Sequence, residues 1–270
     1  MRYGCCVNMV TKMPDGSGID IVPKLKEIGF DYAELSLTHL CMMDEGHFSR
    51  AKKELLGFGL PFETSNNFFP PTIPLTGASA QITIIKNYLE KAFVRASELG
   101  IKTIVFGSGD ARTVPENLAY PEAIEQLVEI LRLINSFAIR YNIFIAIEPL
   151  RKQECNIINT YHEALVLANK ADCPNVNCLL DIFHLEEENE SISVINMTPE
   201  RLAHVHFAEP KGRIFPVESN KQVYKEVLHK IRQAGYNQRI SIEAYSSDFY
   251  NDASRALRLL KEIEVELDLK

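Results

Sequence analysis

The sequence predicts a (β/α)8 TIM barrel, because eight short apolar runs alternate with amphipathic segments along 270 residues. The runs are rich in Ile, Val, Phe and Tyr and too short for helices, which is typical of strands. Strands that alternate with helices imply parallel pairing, since a parallel pair needs a crossover. Eight such units predict a single domain over residues 1–270. The expected strands lie near residues 3–9, 31–36, 61–65, 102–107, 143–148, 176–181, 202–207 and 239–244.

A glycine recurs where a helical segment ends and an apolar run begins, as in KEIGFDYAEL, SELGIKTIVFG and RQAGYNQRISIEA. Glycine adopts the left-handed conformation that ends many helices. In RYNIFIAIE, Asn142 takes the place of the glycine. Apolar residues at helical spacing mark the buried faces of two long helices. They are Ile85, Tyr88, Leu89, Ala92, Ala96 and Leu99, and then Ile124, Leu127, Val128, Leu131 and Ala138.

A doubly wound open sheet is the alternative fold, but the segment NMVTKMPDGSG after the first strand has no GxGxxG phosphate loop. No linker or composition change indicates a domain boundary. The longest irregular segment, NNFFPPTIPLTGAS, follows the third strand. Its prolines predict a stiff loop that lies over the site as a lid.

Composition argues against two classes of partner. The formal net charge is −7 and no basic cluster is present, which disfavours nucleic acid. No apolar run approaches the roughly 20 residues of a membrane span, and the N-terminus lacks the apolar core of a signal peptide. The six cysteines form no CxxC motif. We therefore expect reduced thiols in a cytoplasmic protein.

Four polar residues fall where the last four predicted strands end. They are Glu148, Asp181, His206 and Glu243. In a TIM barrel these ends meet at the rim that carries the active site, with neighbouring strands about 4.8 Å apart. Three carboxylates in a dry pocket repel one another unless a cation neutralises them. One such carboxylate alone is more simply a helix N-cap or a solvated group, but all four together predict one divalent ion, Mn²⁺, Mg²⁺, Co²⁺ or Zn²⁺.

The order IEPLRKQE, LLDIFHLEEEN, HVHFAEPKGR and SIEAY resembles the xylose isomerase-like TIM barrels of sugar isomerases and epimerases, and most of all their ketose 3-epimerase branch, which includes the tagatose and psicose epimerases. The resemblance covers residues from about 143 to 245. It implies a metal ion, often Mn²⁺, held by the four strand-end residues. It also implies that Glu154 and His184 contact substrate hydroxyls, and that an arginine follows the histidine of strand 7. Arg213 is our candidate for that arginine, with Lys211 as its rival.

The resemblance implies a reaction on a small sugar. The metal would stabilise an enediolate formed when a ketose loses the proton beside its carbonyl. Glu148 and Glu243 are the candidate catalytic pair, one removing the proton and the other returning one to the opposite face. Aldose–ketose isomerisation needs the same intermediate. A lyase or dehydratase acting on an inositol-, shikimate- or C-glycoside-type substrate is the main alternative. An endonuclease IV-like phosphodiesterase would need more histidines, and a binding module would not explain four ionisable strand ends.

Further residues near the rim carry weaker predictions. Of the two strand 7 histidines, we expect His206 to face the metal and His204 to pack one layer below it, bonded to a neighbour. Glu34 and His39 either line the cavity or, in the interpretation that we favour, are ordinary loop and rim residues. Glu63, Asn66 and Asn67 end strand 3 and are candidate contacts for sugar hydroxyls, with Asn67 as our predicted substrate-binding residue. Phe68 and Phe69 either cover the substrate or, more simply, anchor the Pro-rich loop. The family often forms homodimers or homotetramers, which we expect here.

Overall fold

Eight parallel strands close into a barrel in the computed structural model, which describes residues 1–269. Each strand pairs with the next, and β8 pairs with β1, with Arg2 opposite Arg239 and Cys5 opposite Ile242. The predicted TIM barrel is confirmed, and the open-sheet alternative is wrong. The strands are β1 Arg2–Cys6, β2 Tyr32–Ser36, β3 Thr64–Asn66, β4 Thr103–Phe106, β5 Phe144–Ile147, β6 Val176–Asp181, β7 Leu202–Phe207 and β8 Arg239–Ile242.

Helices follow the strands and cover the outside of the barrel. They are α1 Val22–Ile28, α2 Leu37–Met42, α3 Glu45–Gly57, α4 Ile82–Leu99, α5 Gly109–Arg112, α6 Tyr120–Tyr141, α7 Tyr161–Ala171, α8 Ile182–Glu187, α9 Lys221–Gln233 and α10 Phe249–Asp268. Among the described residues, no helix combines the length and the apolar character needed to cross a membrane. The apolar faces predicted for α4 and α6 are the faces that pack on the barrel.

Local signals in the sequence end and begin these helices. Gly100 ends α4 with φ 84°. Asn142 ends α6 with φ 53°, as predicted from its place in the glycine pattern. Thr160 and Glu163 form a reciprocal capping box at the start of α7. Asp181 caps α8 by accepting from the backbone N–H groups of Phe183 and His184, so one carboxylate both ends β6 and begins the next helix.

The third strand lies further along the chain than predicted. It was expected near 61–65, but pairing with β2 begins only at Thr64 and runs to Asn66. The preceding Pro61 has no backbone N–H to donate, and its carbonyl accepts from the backbone N–H of Ala33. Glu63 therefore lies before the strand, where it pairs with Arg2 and Arg239. This places Glu63 at the opposite end of the barrel from the predicted site, and its predicted contact with substrate is wrong.

The Pro-rich segment after β3 is anchored by its two aromatic side chains. Phe68 and Phe69 are buried. Their rings pack edge-on against Phe106, at 6.5 and 6.2 Å between centroids. The hydroxyl of Tyr88 donates to the Phe68 carbonyl at 2.6 Å, and the Phe69 N–H donates to Ser108 Oγ at 2.8 Å. The simpler interpretation, that these rings hold the loop on the barrel, agrees with the structure.

The barrel interior has an apolar side and a polar side. A small apolar cluster of Val105, Ala146 and Leu179 comes from β4, β5 and β6, separate from the main core around the barrel. The opposite side carries Glu34 on β2 and His204 on β7, both fully buried and hydrogen-bonded to each other. His204 thus bonds to a neighbour below the rim, as predicted. A polar layer of this kind, directly under the rim, sets the environment of the site.

Candidate active site

The structure brings the four strand-end residues together at the C-terminal rim. Glu148 directly follows β5, Asp181 ends β6, His206 lies on β7 and Glu243 directly follows β8. One potential ligand atom from each lies within 4.8 Å of the other three, and all four side chains are buried. The barrel places successive strand ends side by side, which is why residues up to 95 positions apart in the sequence meet here.

The imidazole of His206 lies at the centre of this group. Its Nδ1 is 2.9 Å from Glu148 Oε1, 3.2 Å from Glu243 Oε2 and 3.8 Å from Asp181 Oδ2. Its Nε2 faces the other way, into the barrel, and lies 3.0 Å from Glu34 Oε1. The two ring nitrogens therefore serve different partners, and only Nδ1 faces the strand-end carboxylates.

The pKa values of Glu148 and Glu243 are shifted in opposite directions. Burial raises the pKa of Glu148, and repulsion from Glu243 adds to the rise. Burial would also raise the pKa of Glu243, but His206 and then Arg213 outweigh it and hold that pKa below its usual range. Burial disfavours a charged His206, yet Glu243 and Glu34 outweigh burial and hold the His206 pKa well above its usual value. Cationic groups are thus strongly favoured between these carboxylates.

The donor set fits the divalent cation that the resemblance implies. Three carboxylates and one imidazole nitrogen are a ligand combination that Mn²⁺, Mg²⁺, Co²⁺ and Zn²⁺ accept. Gly107 makes room for this arrangement, because a Cβ there would lie 2.1 Å from Glu148 Oε2. Any larger residue here would displace the Glu148 carboxylate from its present position. The chain could hold one ion here with Glu148, Asp181, His206 and Glu243.

Arg213, rather than Lys211, contacts the strand-end carboxylates. Its Nη2 donates to Glu243 Oε2 at 2.5 Å and lies 3.8 Å from Asp181 Oδ2. The turn that carries it is closed by a backbone hydrogen bond from Glu209 to the Ile214 carbonyl, and Arg213 itself has φ 47°. Lys211 is exposed on the same turn. Arg213 therefore faces the site. In the segment EPKGR, its distance along the chain from the strand 7 histidine differs by one residue from the spacing that the resemblance implies.

Glu154 and His184 lie beside the four strand-end residues. The backbone N–H of Arg151 donates to His184 Nδ1 at 3.2 Å, so a neutral His184 carries its proton on Nε2. That Nε2 is buried and has no hydrogen-bond partner among the described residues. It lies 3.9 Å from both Glu154 Oε2 and Asp181 Oδ2. A buried donor without a partner is costly unless a ligand satisfies it, which favours a bound hydroxyl at this point.

The two asparagines at the end of β3, Asn66 on the strand and Asn67 just after it, have different surroundings. Asn66 donates from Nδ2 to Glu243 Oε1 at 3.1 Å and to Asn8 Oδ1 at 3.0 Å. The Asn67 side chain is 3.4 Å from Ser36 Oγ. Asn67 nevertheless lines the cavity above the four strand-end residues, as does Asn8. The sequence indicated Asn67 as the substrate contact, but Asn66 is the residue that supports a candidate catalytic glutamate.

A cavity of about 480 Å³ opens above the four strand-end residues, which is enough for a small sugar. Its lining is mostly polar and includes Ser108, Asp110, Glu154 and Arg213. A second cavity of about 470 Å³ lies on the outside of the barrel between the turn at Phe215 and α10, away from these residues. The first cavity is the candidate active site, because Glu148 and Glu243 of the strand-end group line it and none of the four lines the second.

Glu34 is the residue in contact with the candidate site that sequence reasoning missed. It was interpreted as an ordinary rim residue, but its side chain is completely buried inside the barrel. Its carboxylate accepts from Nε2 of both His204 and His206, and these two histidines outweigh burial to hold its pKa well below the usual range. The available signal was a glutamate inside the apolar run YAELS, where it alternates with outward-facing Leu35 and Ala33.

Comparison with known proteins agrees with this geometry. A family model described as a xylose isomerase-like TIM barrel matches residues 22–263, nearly the whole chain. The chain belongs to the xylose isomerase-like TIM barrel family. The resemblance seen in the sequence motifs of the C-terminal half is confirmed, and the family match extends it over most of the N-terminal half.

Several relatives of this family member are sugar epimerases. Ketose 3-epimerase of Arthrobacter globiformis is 26% identical over 272 residues, which cover 97% of this chain and 90% of the relative. D-psicose 3-epimerase of Agrobacterium fabrum is 22% identical, with 83% of this chain and 78% of the relative covered. The structure of a D-allulose 3-epimerase from Methylomonas sp. in complex with D-allulose has a TM-score of 0.80 at 20% identity, covering 97% and 96% of the two chains. These relatives agree with the prediction of a sugar epimerase or isomerase.

Proposed function

We propose that this family member is a metal-dependent ketose 3-epimerase. The observation that carries the proposal is the convergence of Glu148, Asp181, His206 and Glu243 on one point beneath a polar cavity. The curated relatives named for ketose and psicose 3-epimerisation support the choice of reaction. The reaction inverts the carbon next to a ketone, so it needs a stabilised carbanion equivalent and a proton donor on each face.

When bound by the four strand-end residues, the cation would polarise the ketone and offset the negative charge that develops on its oxygen. The proton transfers are assigned to side chains of the protein itself. Glu148 and Glu243 directly follow β5 and β8, and each has a carboxylate oxygen within 3.2 Å of His206 Nδ1. In the proposed reaction one of these two carboxylates accepts the proton from carbon 3. The other then delivers a proton to the opposite face, which inverts that carbon.

Three further residues are proposed to hold the substrate. His184 Nε2–H would donate to a sugar hydroxyl, since it has no hydrogen-bond partner in the described part of the chain. Glu154, held by Arg151 at 2.8 Å, would accept from a neighbouring hydroxyl. Arg213 would donate to substrate from its place beside Glu243. Asn67 lines the wall of the same cavity and is proposed as a weaker contact.

The decisive test is proton exchange. Metal-loaded protein is incubated in deuterated water with a panel of free ketoses, and NMR reads the carbon that acquires deuterium. We expect deuterium at carbon 3 together with the 3-epimer. Exchange at carbon 1 with an aldose as product would indicate isomerisation, and an unsaturated or cleaved product would indicate the lyase alternative. No exchange in any ketose, with metal bound, would contradict the proposal.

A substitution of Arg213 separates binding from chemistry. Arg213→Gln should raise the KM for ketose about 10- to 100-fold, because a hydrogen bond from a charged group is worth about 1.5–3 kcal/mol. Lys211→Gln is the matched control, since Lys211 lies exposed on the same turn. Steady-state kinetics of the two variants give the answer. An equal effect of both substitutions would show that Arg213 has no specific role.

The proposed metal ion and the proposed assembly are those that the family resemblance implies. Mn²⁺ is the proposed ion, and metal analysis of the purified protein checks its identity. The six cysteines are all unpaired and buried, which supports the proposed cytoplasmic location. A homodimer or homotetramer is the proposed assembly, and light scattering measures it directly. Nucleic acid and membranes are not among the proposed partners.

A further inference from the structure

A buried hydrogen-bond network lies directly beneath the candidate metal ligands, and Glu34 is its centre. The Glu34 side chain is fully buried. Its Oε1 accepts from His206 Nε2 at 3.0 Å. Its Oε2 accepts from Thr64 Oγ1 at 2.7 Å, from Ser241 Oγ at 2.5 Å and from His204 Nε2 at 2.9 Å. One oxygen thus serves the ligand histidine alone, and the other is fixed by three donors.

The contact with Glu34 decides which nitrogen of His206 is available to a cation. An ionised carboxylate only accepts hydrogen bonds, so the ring nitrogen that faces Glu34 must carry a proton. Once a cation takes the place of the proton on Nδ1, the ring has one proton left, and this contact keeps it on Nε2. The lone pair then lies on Nδ1, which faces Glu148 at 2.9 Å and Glu243 at 3.2 Å. Without that acceptor, the carboxylates of Glu148 and Glu243 would draw the single proton of a neutral ring to Nδ1.

We propose that Glu34 is a positioning residue of the metal centre, which holds His206 in the Nε2–H tautomer and aims its Nδ1 lone pair at the three carboxylates. The inference rests on the proposed metal centre but concerns a residue outside the ligand set. A carboxylate that accepts from the second nitrogen of a ligand histidine fixes the orientation of the ring, and its loss costs about 10- to 100-fold in metal affinity. Glu34 occupies that place from the opposite side of the barrel, on β2.

Glu34→Gln is a sharp test because the network dictates how the amide lies. The donors from Thr64, Ser241 and His204 converge on the position of Oε2, so the amide oxygen should occupy that position. The NH₂ group then faces His206 Nε2 and donates to it. This forces the proton of a neutral ring onto Nδ1, the nitrogen that should hold the cation. The substitution therefore reverses the tautomer while it changes almost no volume.

The first measurement is the affinity of the purified, metal-free protein for Mn²⁺ by calorimetry. We expect Glu34→Gln to weaken binding about 10- to 100-fold. Thr64→Val is the matched control, because it removes one donor to Oε2 and leaves the contact between Oε1 and His206. Its metal affinity should stay within about threefold of the parent, well below the effect expected for a lost acceptor. Thermal unfolding of the metal-free variants then separates a loss of stability from a loss of affinity.

The second measurement reads the tautomer itself. Nitrogen-15 NMR of the parent protein loaded with diamagnetic Zn²⁺ should show a proton on His206 Nε2 and none on Nδ1. In Glu34→Gln without metal, the neutral ring should show the reverse. The parent spectrum tests the inference even if Glu34→Gln fails to fold. A proton on Nδ1 of the loaded parent would overturn it.

The outcomes are distinguishable. Parent protein that binds no divalent ion overturns the proposed metal centre and this inference with it. Parent protein that binds the ion, together with a Glu34→Gln variant of equal affinity, overturns this inference alone. Equal losses of affinity in Glu34→Gln and Thr64→Val would also overturn it, because they would indicate general damage to the buried network rather than control of the His206 ring.

Discussion

Replacement of Glu243 by glutamine is expected to leave the fold and much of the ketose binding intact and to lower kcat by about 10²- to 10⁴-fold, the usual contribution of a proton-transferring side chain. The amide has nearly the same size, so it can still interact with Asn66 and Arg213, which contact Glu243 now. It cannot exchange a proton with carbon 3. Steady-state kinetics, together with ketose binding by calorimetry on metal-loaded protein, measure both effects.

A matched substitution at the other end of the barrel serves as the control. Glu63→Gln changes the same functional group where the side chain pairs with Arg2 and Arg239, far from the cavity. Its kcat should stay close to that of the parent. If Glu243→Gln turned over ketose near the parent rate, the two-glutamate mechanism would be wrong. If both variants lost activity equally, the effect of Glu243→Gln would reflect destabilisation rather than chemistry.

Removal of metal by a chelator is expected to abolish turnover without unfolding the protein. His206 and Arg213 already contact the three carboxylates, so the site keeps cationic partners of its own. Addition of Mn²⁺ should restore activity. An ion at 100 times its dissociation constant adds about 2.7 kcal/mol to stability, which corresponds to a rise in Tm of about 5–10 °C for a chain of this size. Circular dichroism and scanning calorimetry follow both properties.

Two results would contradict this expectation. Full activity after exhaustive chelation, with no metal detected, would show that the reaction does not need an ion. A chelated protein that is unfolded would show that the cationic side chains do not stabilise the site alone. Asp181→Asn offers an independent check, because it weakens the ligand set without altering either candidate catalytic glutamate, and it should raise the Mn²⁺ concentration needed for half-maximal activity.

The fold and the convergence of the strand-end residues could be predicted because both depend on strong, local rules. Runs of β-branched residues between amphipathic helices reveal the alternating units. Within a barrel, the last residue of each strand must reach the same rim, so Glu148, Asp181 and Glu243 could be placed together without any knowledge of contacts. The position of His206 followed from the same rule, since it is nearer the rim than His204.

The missed features depend on register, which a single sequence specifies poorly. Side chains alternate between two faces of a strand, and a shift of one residue exchanges them. The predicted third strand began three residues too early. The prediction therefore did not show that Glu63 precedes the strand or that Asn66 faces Glu243. Glu34 was missed for a related reason. A lone carboxylate in an apolar strand is favourable only with hydrogen-bond partners, and three of the four partners of Glu34 lie on β7 and β8, about 170–210 positions away.

The origin of the cavity wall suggests how such an enzyme could change its preferred sugar. Asn8, Asn67, Ser108 and Asp110 lie just after β1, β3 and β4, whereas the proposed ligands lie on or just after β5 to β8. Part of the recognition surface is thus encoded apart from the reactive residues, while the proposed substrate contacts Glu154, His184 and Arg213 share the C-terminal half with the ligands. Selection for a new substrate can act on the N-terminal part of the wall while the reactive half is conserved, and hybrids that join halves of two relatives would test how much of the specificity that part carries.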